Sequence, residues 1–352
     1  MRITFITPTL SVGGYEKVVV AYANELCRRS HMVEILCFQK TGELLSTVSE
    51  NVQVIGLNVR ARTLLLPLAK YLKEIRPDIL YCAFREINLI GVLAKKMARV
   101  DTCIYATQHG FQTDRPIVAW LKGLIIGRAD RLITVADGVA DYESKQLGID
   151  RNRFVVLNNP VLDRRVEVPD EHHPWFDEVE AIPIIVMAGR IAGDKGEVYG
   201  IDILAEMNKS RMVRMMYLGD GLALAEVKQH AKEKGVGDSI AFLGFVDNPM
   251  GYMKHCSLFL HTAIVEGFGN VVVEALYCNL TVCTTNCSGP LQIIGNGKYG
   301  VDLGSVYDEG FATKAARKIE QVLDGELSYE GKVERALCFE VEHATDQFLS
   351  CL

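Results

Sequence analysis

The strongest constraint on the fold of this chain is an alternation of short β-branched runs with amphipathic segments of helical length. Before residue 160 these runs cover residues 3–7, 33–38, 52–57, 79–83, 103–107, 132–135 and 154–157. Such alternation is typical of a parallel sheet covered by helices on both faces. The first part of the chain is therefore predicted to form a doubly wound, Rossmann-like α/β domain.

The same pattern restarts after a polar stretch. Residues 163–180 contain two adjacent histidines and seven carboxylates, which predicts an exposed linker. The second series of runs covers residues 184–188, 213–218, 241–245, 258–262, 281–284 and 301–303. We therefore predict an N-terminal domain over 1–160, a linker over 161–182, a second doubly wound domain over 183–328, and a C-terminal helix over 329–352 that could pack back on the N-terminal domain.

Length and composition agree with two domains that face a cleft. The 352 residues correspond to about two domains of roughly 150 residues each. No run of 18 uncharged apolar residues occurs and the first residues do not resemble a signal peptide, so the sequence predicts a cytoplasmic protein. The ten cysteines lack the paired spacings of zinc ligands and are interpreted as reduced core thiols.

Charge is divided unevenly along the chain. Residues 1–165 carry 23 Lys and Arg against 16 Asp and Glu, whereas residues 166–352 carry 15 against 28. Residues 60–99 hold nine of the basic side chains among apolar runs, a pattern compatible with an anionic inner-leaflet membrane surface or with the solvated faces of ordinary helices. The acidic balance of the whole chain and the lack of a recognised motif argue against nucleic acid as a partner.

Two glycine-bearing turns follow predicted strands. Gly13 and Gly14 stand where the first strand passes into a helix, which suits either a phosphate held by free N–H groups or a simple tight turn. In the second half, Arg190 and Lys195 flank such a turn directly after residues 184–188. Two cations at the carboxyl end of a buried strand could neutralise a diphosphate, although they could also be solvated.

The segment after residues 258–262 is the most informative. Glu266 precedes the turn Gly267-Phe268-Gly269, and Glu274 lies eight residues later in the helix that begins near Asn270. Carboxylates suit the hydroxyl groups of a sugar or ribose, and the start of a helix attracts an anion. The alternative is a glutamate that only stabilises the helix.

These three segments, in this order, resemble the retaining nucleotide-sugar glycosyltransferases of family 4, which have the two-domain GT-B fold. The resemblance covers nearly the whole chain and is strongest over residues 189–196 and 242–300, where Glu266 and Glu274 match the family's pair of glutamates. One departure is Gln292, which stands where the family commonly has an acid after Gly-Gly-Pro-x.

The resemblance implies roles for individual residues. His109 and Glu266 would be catalytic, with Glu266 contacting the transferred sugar together with Gly267 and Phe268. Glu274 would bind the ribose. The diphosphate ligands would be Gly14, Arg190, Lys195, Gly269 and Asn270, and the base would lie near Gly244, Phe245 and Val246.

The implied activity is transfer of a sugar, with retention of configuration, from a nucleotide sugar to a hydroxyl of a glycan or lipid-linked glycan. UDP is the expected nucleotide, and bacterial surface polysaccharide or lipopolysaccharide the expected product. No Asp-x-Asp occurs, so neither a metal nor another cofactor is expected. The alternatives are a nonhydrolysing sugar-nucleotide epimerase, a hydrolase that uses Glu266 and Glu274, a noncatalytic sugar-nucleotide-binding protein, and a nicotinamide site at Gly219-Asp220-Gly221, which lacks the third glycine of that fingerprint.

Overall fold

The computed structural model describes residues 1–179, 182–193 and 195–351. Their contacts divide the chain into two compact units. The first unit contains Met1–Val161 together with the described residues from Glu340 onward, and the second contains Leu162–Phe339.

The first unit is built on a parallel sheet of seven strands in the order β3-β2-β1-β4-β5-β6-β7. Its strands are β1 Arg2–Thr7, β2 Met32–Cys37, β3 Gln53–Gly56, β4 Ile79–Ala83, β5 Cys103–Gln108, β6 Arg131–Thr134 and β7 Phe154–Val156. The helices are α1 Gly14–Arg28, α2 Leu65–Ile75, α3 Arg85–Ala98, α4 Pro116–Ile126 and α5 Asp137–Leu147, and α13 Val341–Ser350 joins them from the end of the chain.

Helices cover both faces of this sheet, as its apolar strands require. One core cluster includes Ile6, Leu36 and Leu80, and a second includes Phe5, Ile35 and Tyr81, so alternate residues of each strand belong to opposite faces. α13 packs beside α1, and Arg29 donates to Asp346 over 2.5 Å.

The second unit repeats the design with six parallel strands in the order β10-β9-β8-β11-β12-β13. These strands are β8 Ile184–Ala188, β9 Arg214–Leu218, β10 Ile240–Phe242, β11 Leu258–His261, β12 Thr281–Thr284 and β13 Gly300–Asp302. The helices are α6 Glu197–Met207, α7 Leu224–Glu233, α8 Pro249–Met253, α9 Asn270–Tyr277, α10 Ser288–Ile293, α11 Phe311–Leu323 and α12 Lys332–Leu337.

The two sheet orders confirm the predicted fold class of two doubly wound, Rossmann-like domains. In each sheet the first strand of the unit lies centrally and the strand order reverses beside it, between β1 and β4 and between β8 and β11. A crevice opens at the carboxyl ends of strands at such a reversal, where open α/β sheets bind their ligands. The residues that follow β8 and β11 therefore lie where a sheet of this kind binds its ligand.

Three segments differ in detail from the sequence predictions. β10 ends at Phe242 rather than residue 245, because the chain turns at Gly244, whose φ is +72°. The C-terminal segment forms two helices, α12 and α13, which belong to different units. Described residues of the expected linker pack on the second unit: the Arg214 guanidinium stacks over Trp175 at 4.9 Å from the ring centre, and Phe176 stacks on His255.

Among the described residues, no helix is both long and apolar enough to cross a bilayer.

Candidate active site

The side chains of Lys195 and Glu266 meet at the strand reversal of the second unit. Lys195 follows β8 and Glu266 follows β11, and the Lys195 Nζ to Glu266 Oε2 distance is 2.5 Å. The two residues are 71 positions apart in the chain. Folding of the sheet therefore places a cation and a carboxylate together at the position where this class of sheet binds ligands.

Close backbone packing fixes the position of Lys195. The next residue, Gly196, has φ +67° and lies against the end of β11, so a Cβ atom there would be 1.9 Å from the carbonyl oxygen of Thr262. The Thr262 hydroxyl donates a 2.8 Å hydrogen bond to the Gly196 carbonyl. Glycine is thus required for the loop after β8 to reach β11.

Glu266 is held as an anion. Burial opposes its ionisation, but His261 and the positive charge of Lys195 outweigh burial and lower its pKa to about 2. His261 Nε2 lies 3.9 Å from Glu266 Oε2, and its Nδ1 lies 3.1 Å from the hydroxyl of Thr284. An ionised carboxylate accepts hydrogen bonds and donates none, so Glu266 suits the binding of sugar hydroxyls and does not suit general acid catalysis.

Two residues beside this pair were not predicted as site residues. His261, the last residue of β11, is 6% exposed and carries the contact to Glu266 just described. Glu197, the first residue of α6, is 1% exposed and accepts hydrogen bonds from the backbone N–H groups of Ala192 (2.8 Å) and Gly193 (3.3 Å). Glu197 therefore shapes the loop that carries Lys195. In the sequence, only the position of this acidic residue directly after Gly196 could have indicated its role.

The glycine turn after Glu266 is a packed element. Gly269 has φ +98° and directly precedes α9, and Phe268 is 2% exposed with its ring edge-on to Phe339. A Cβ on Gly289 of α10 would lie 2.6 Å from the Phe268 backbone, so the turn and α10 are in tight contact. The Phe268 side chain thus anchors the turn, which leaves its backbone for any contact with a donor sugar. Gly267 is buried in the same turn.

Other predicted residues occupy the flanks of α9. Asn270 is its first residue, and Glu274 lies one turn further along, half-buried, near Cys278. The Cys278 pKa is raised to about 12, first by burial and then by the charge of Glu274. Glu274 therefore lies close enough to Cys278, which follows the last residue of α9, for its charge to act on that thiol.

Arg190 lies in the loop after β8, five residues before Lys195. Its exposed side chain lines an open groove of about 720 Å³ with Gly221, Leu222 and Glu226. Backbone hydrogen bonds join its loop to the loop after β9, as between the N–H of Ile191 and the carbonyl of Asp220 at 2.9 Å. The loops after β8 and β9 therefore form this groove together.

The residues predicted near the base continue this groove edge. Gly244 forms an isolated bridge with Gly219, and Gly219 in turn packs against Gly189. Phe245 is 57% exposed, and Val246 beside it is half-buried. The backbones that follow β8, β9 and β10 therefore converge at one end of the sheet, with an exposed aromatic ring beside them.

His109 stands at the carboxyl end of β5 in the first unit. Its Nε2 lies 3.0 Å from the hydroxyl of Tyr81, and its ring is edge-on to Tyr15 at 4.8 Å between centres. Burial lowers its pKa to about 3, and a polar interaction with Asn159 opposes that shift. His109 is therefore neutral at physiological pH, so it can exchange hydrogen bonds with a hydroxyl but offers no positive charge to a phosphate.

Gly14 begins α1, but a carboxylate already faces that helix end. A Cβ on the preceding Gly13 would lie 2.2 Å from Oε2 of Glu16. Burial raises the pKa of Glu16, and a hydrogen bond to its own backbone N–H opposes the shift. A phosphate at Gly14 would meet like charge, so this end of α1 favours an anion less than its glycines suggested.

In residues 1–179, 182–193 and 195–351 no group of three or more His, Cys, Asp or Glu side chains is arranged to hold a metal ion.

Two family models match the chain. One, described as glycosyl transferases group 1, matches residues 170–336, and the other, described as a glycosyl transferase 4-like domain, matches residues 13–160. Together they account for most of the sequence: residues 170–336 contain all six strands of the second sheet, and residues 13–160 contain β2 to β7 of the first. The chain belongs to the glycosyltransferases of the GT-B fold.

Several curated relatives are glycosyltransferases that act on lipid-linked or surface glycans. The chain is similar to the GalNAc-alpha-(1->4)-GalNAc-alpha-(1->3)-diNAcBac-PP-undecaprenol alpha-1,4-N-acetyl-D-galactosaminyltransferase of Campylobacter jejuni, with 26% identity over 100% of this chain and 98% of the relative. It is also similar to the lipopolysaccharide 1,6-galactosyltransferase of Escherichia coli K12, with 24% identity over 84% of this chain and 82% of that one.

Solved structures confirm the fold. Alr3699/HepE from Anabaena in complex with UDP-glucose superposes with a TM-score of 0.81 at 20% identity, covering 100% of both chains. The apo form of the lipopolysaccharide outer core galactosyltransferase WaaB gives a TM-score of 0.75 at 20% identity, covering 100% of this chain and 99% of that one.

Proposed function

We propose that the chain is a retaining glycosyltransferase of family 4 that transfers a sugar from a UDP-sugar to a hydroxyl group of a glycan or lipid-linked glycan. In this proposal the reaction is a step in the assembly of a bacterial surface polysaccharide. The observation that carries this proposal is the contact of Lys195 with Glu266 at the strand reversal of the second sheet. One ligand that spans this position needs a negative group for Lys195 and hydroxyl groups for Glu266. A nucleotide sugar has both.

In this proposal Lys195 holds the diphosphate as a point charge, and the amino end of α9, at Gly269 and Asn270, adds its dipole. Arg190, exposed and 5 positions earlier, reaches the diphosphate or the nucleotide from the groove that it lines. The bond from the anomeric carbon to the phosphate oxygen breaks, the acceptor oxygen bonds to that carbon, and the departing phosphate oxygen takes the acceptor proton. Fixed protein charges stabilise the leaving group, so the reaction requires no divalent ion.

Glu266 positions the sugar through its hydroxyls, with the backbone of Gly267 and Phe268. Neutral His109 is proposed to hydrogen-bond a sugar hydroxyl, since its lowered pKa excludes a charged role at neutral pH. Glu274 is assigned to the ribose, and the backbone at Gly244 and Val246 with the exposed Phe245 ring to the base.

The donor and acceptor classes are supported by the relatives. The Campylobacter jejuni enzyme is named for an undecaprenol-diphosphate-linked glycan, and the Anabaena protein of the same fold was solved with UDP-glucose. We therefore propose a UDP-sugar donor and a lipid-linked glycan acceptor at the cytoplasmic face of the inner membrane.

Thermal unfolding with UDP-, GDP- and ADP-sugars tests the donor assignment. A ligand that binds only the folded chain raises the Tm as its concentration rises, and we expect this for a UDP-sugar, with EDTA present or absent. Lys195→Ala should weaken UDP binding roughly tenfold to a hundredfold, because one charge-assisted contact contributes about 1.5–3 kcal/mol. The matched control is Lys234→Ala, which removes a half-exposed lysine of the same unit that pairs with Asp202.

Two results would contradict the assignment: no nucleotide sugar raises the Tm, or Lys195→Ala binds UDP as tightly as the unmodified chain. Product analysis separates the remaining activities. An epimerase converts the donor sugar without any acceptor, a hydrolase releases free sugar at the same rate with or without acceptor, and a binding protein does neither.

A further inference from the structure

Helix α4 of the first unit presents an apolar face to solvent. Its inward face is formed by Ala119, Gly123 and Ile126, which are buried. On the opposite side, at the i, i+3, i+4 and i+7 spacing of one helix face, the exposed side chains are Ile117 (74%), Trp120 (54%), Leu121 (50%) and Leu124 (49%). Val118, 41% exposed, lies at the edge of this face.

Close packing fixes the inward face of α4, so the helix cannot rotate to bury its outward apolar face in the core. Gly123 lies so near the end of α5 that a Cβ there would be 2.0 Å from the carbonyl oxygen of Leu147. The helix also packs along α3 and α5. Contiguous exposed apolar side chains on a firmly seated helix mark an interaction surface.

The charges around this face select the partner. Arg115 precedes α4 and Arg128 follows it, and both are exposed and form no ion pair within the part of the chain that the structure describes. The nearby acids are neutralised: Asp114 is bound by Lys122 at 2.8 Å, and Asp130 is bound by a lysine of α3, also at 2.8 Å. The free charge beside the apolar face is therefore positive at both ends.

We propose that α4 docks on an anionic lipid membrane, with Trp120, Leu121 and Leu124 among the upper acyl chains and the two arginines at the lipid phosphates. Tryptophan and arginine are suited to the boundary between headgroups and hydrocarbon. The 11 residues of α4 are too few to span a bilayer, so the helix lies in the plane of the surface. The biological reason for docking, access to a lipid-linked acceptor, rests on the proposed function.

This surface differs from the one that charge patterning indicated at residues 60–99. There Arg85 is 1% exposed, and Leu64 and Leu68 are fully buried in the core. Leu66, 68% exposed, is the main apolar side chain that α2 leaves in solvent. The basic residues of that stretch therefore lack the apolar face that α4 has.

Fluorescence of the full-length Trp175→Phe variant tests the proposal, because Trp120 is then the only tryptophan. With vesicles of mixed phosphatidylglycerol and phosphatidylcholine, we expect its emission to shift to the blue and to be quenched by lipids brominated on the acyl chain. Vesicles of phosphatidylcholine alone should give a much smaller shift, because the arginines then have no anionic surface. No shift with the mixed vesicles would overturn the proposal.

Vesicle flotation of Ile117→Glu/Leu121→Glu assigns the binding to this face. Both side chains are exposed, so folding is kept, and binding to the mixed vesicles should fall on the order of tenfold or more. The matched control, Leu66→Glu, should float like the unmodified chain. Equal flotation of the double variant and the unmodified chain contradicts the proposal.

A dimer in ultracentrifugation that the double variant abolishes, with no vesicle binding by the unmodified chain, would instead make the face a contact between copies and overturn membrane docking. Binding of UDP, measured by Tm shift on the same variants, reports on the proposed function separately. Loss of vesicle binding with intact UDP binding, or the reverse, shows which of the two proposals fails.

Discussion

Replacing Glu266 by alanine is expected to lower kcat/KM for sugar transfer about 10³-fold while UDP binds at least as tightly as before. The loss follows from removing the fixed anion that orients the sugar hydroxyls at the reacting carbon. UDP binding survives because Lys195 then has no carboxylate at 2.5 Å to compete with the diphosphate. Glu266→Gln keeps the shape of the side chain and one acceptor oxygen, so its activity should fall between that of the unmodified chain and that of Glu266→Ala.

The measurement is UDP release from the donor in the presence of a polyprenyl-diphosphate-linked glycan, with UDP affinity determined separately. Glu233→Gln, an exposed glutamate on α7, is the matched control and should keep full activity. Lys195 is 25% exposed, so loss of its partner leaves a cation that water still reaches, and the variant should fold. Sugar transfer by Glu266→Ala at the rate of the unmodified chain would contradict the assignment of this active site.

The low pKa of Glu266 also predicts how the stability of the Glu266→Gln variant, relative to the unmodified chain, depends on pH. Its folded-state pKa, about 2, is below the ordinary value for glutamate, so its contribution to the free energy of unfolding is present above that ordinary value. That contribution is lost as the pH falls toward 2. The stability difference between the unmodified chain and Glu266→Gln should therefore shrink over this acidic range.

Local sequence patterns predicted the sheets well. All thirteen strands found among the described residues had been predicted within a few residues, because parallel strands buried on both faces leave continuous apolar runs. Glycine turns at strand ends likewise located Lys195 and Glu266, since a loop that approaches a neighbouring strand closely needs glycine, as Gly196 does beside Thr262.

Features that depend on contacts between residues far apart in the sequence could not be predicted from local sequence patterns. His261 was hidden inside a strand, where its role depends on Glu266 and Thr284. The resemblance implied that Phe268 contacts the donor sugar, but its ring is buried against Phe339, a residue 71 positions away. α4 is apolar apart from Lys122, which is typical of a buried helix, and only the structure shows one face in solvent.

Arg85 shows the same limitation most clearly, because it was counted within a basic surface and is instead buried. Its guanidinium forms a fork with Glu143, Nε to Oε2 at 3.0 Å and Nη2 to Oε1 at 2.7 Å, and Nη1 donates to Asp114 at 3.0 Å. Its partners lie 58 and 29 positions away in the sequence. This network joins α3 and α5 to the loop after β5, which begins at His109.

Arg85→Met is expected to lower the free energy of unfolding by about 3–5 kcal/mol, because it leaves Glu143, 2% exposed, as a buried carboxylate without its cation. For a unit of this size that corresponds to a Tm lower by roughly 10 °C. Arg85→Met/Glu143→Leu should recover most of the loss, since apolar residues can replace a buried ion pair at little cost. Lys70→Met, which breaks the exposed pair with Glu74, should change stability by less than about 0.5 kcal/mol.

The pH dependence of Arg85→Met distinguishes a stranded carboxylate from general loss of packing. Burial already raises the pKa of Glu143, and Arg85 opposes that shift, so the variant should raise the pKa further. A group whose pKa is raised by folding stabilises the protein below its unfolded-state value and loses that contribution as the pH rises. The free energy of unfolding that Arg85→Met loses relative to the unmodified chain should therefore be largest at neutral pH and should shrink as the pH falls to the ordinary pKa of glutamate. A loss that is independent of pH would show that lost packing, and not the charge on Glu143, destabilises the variant.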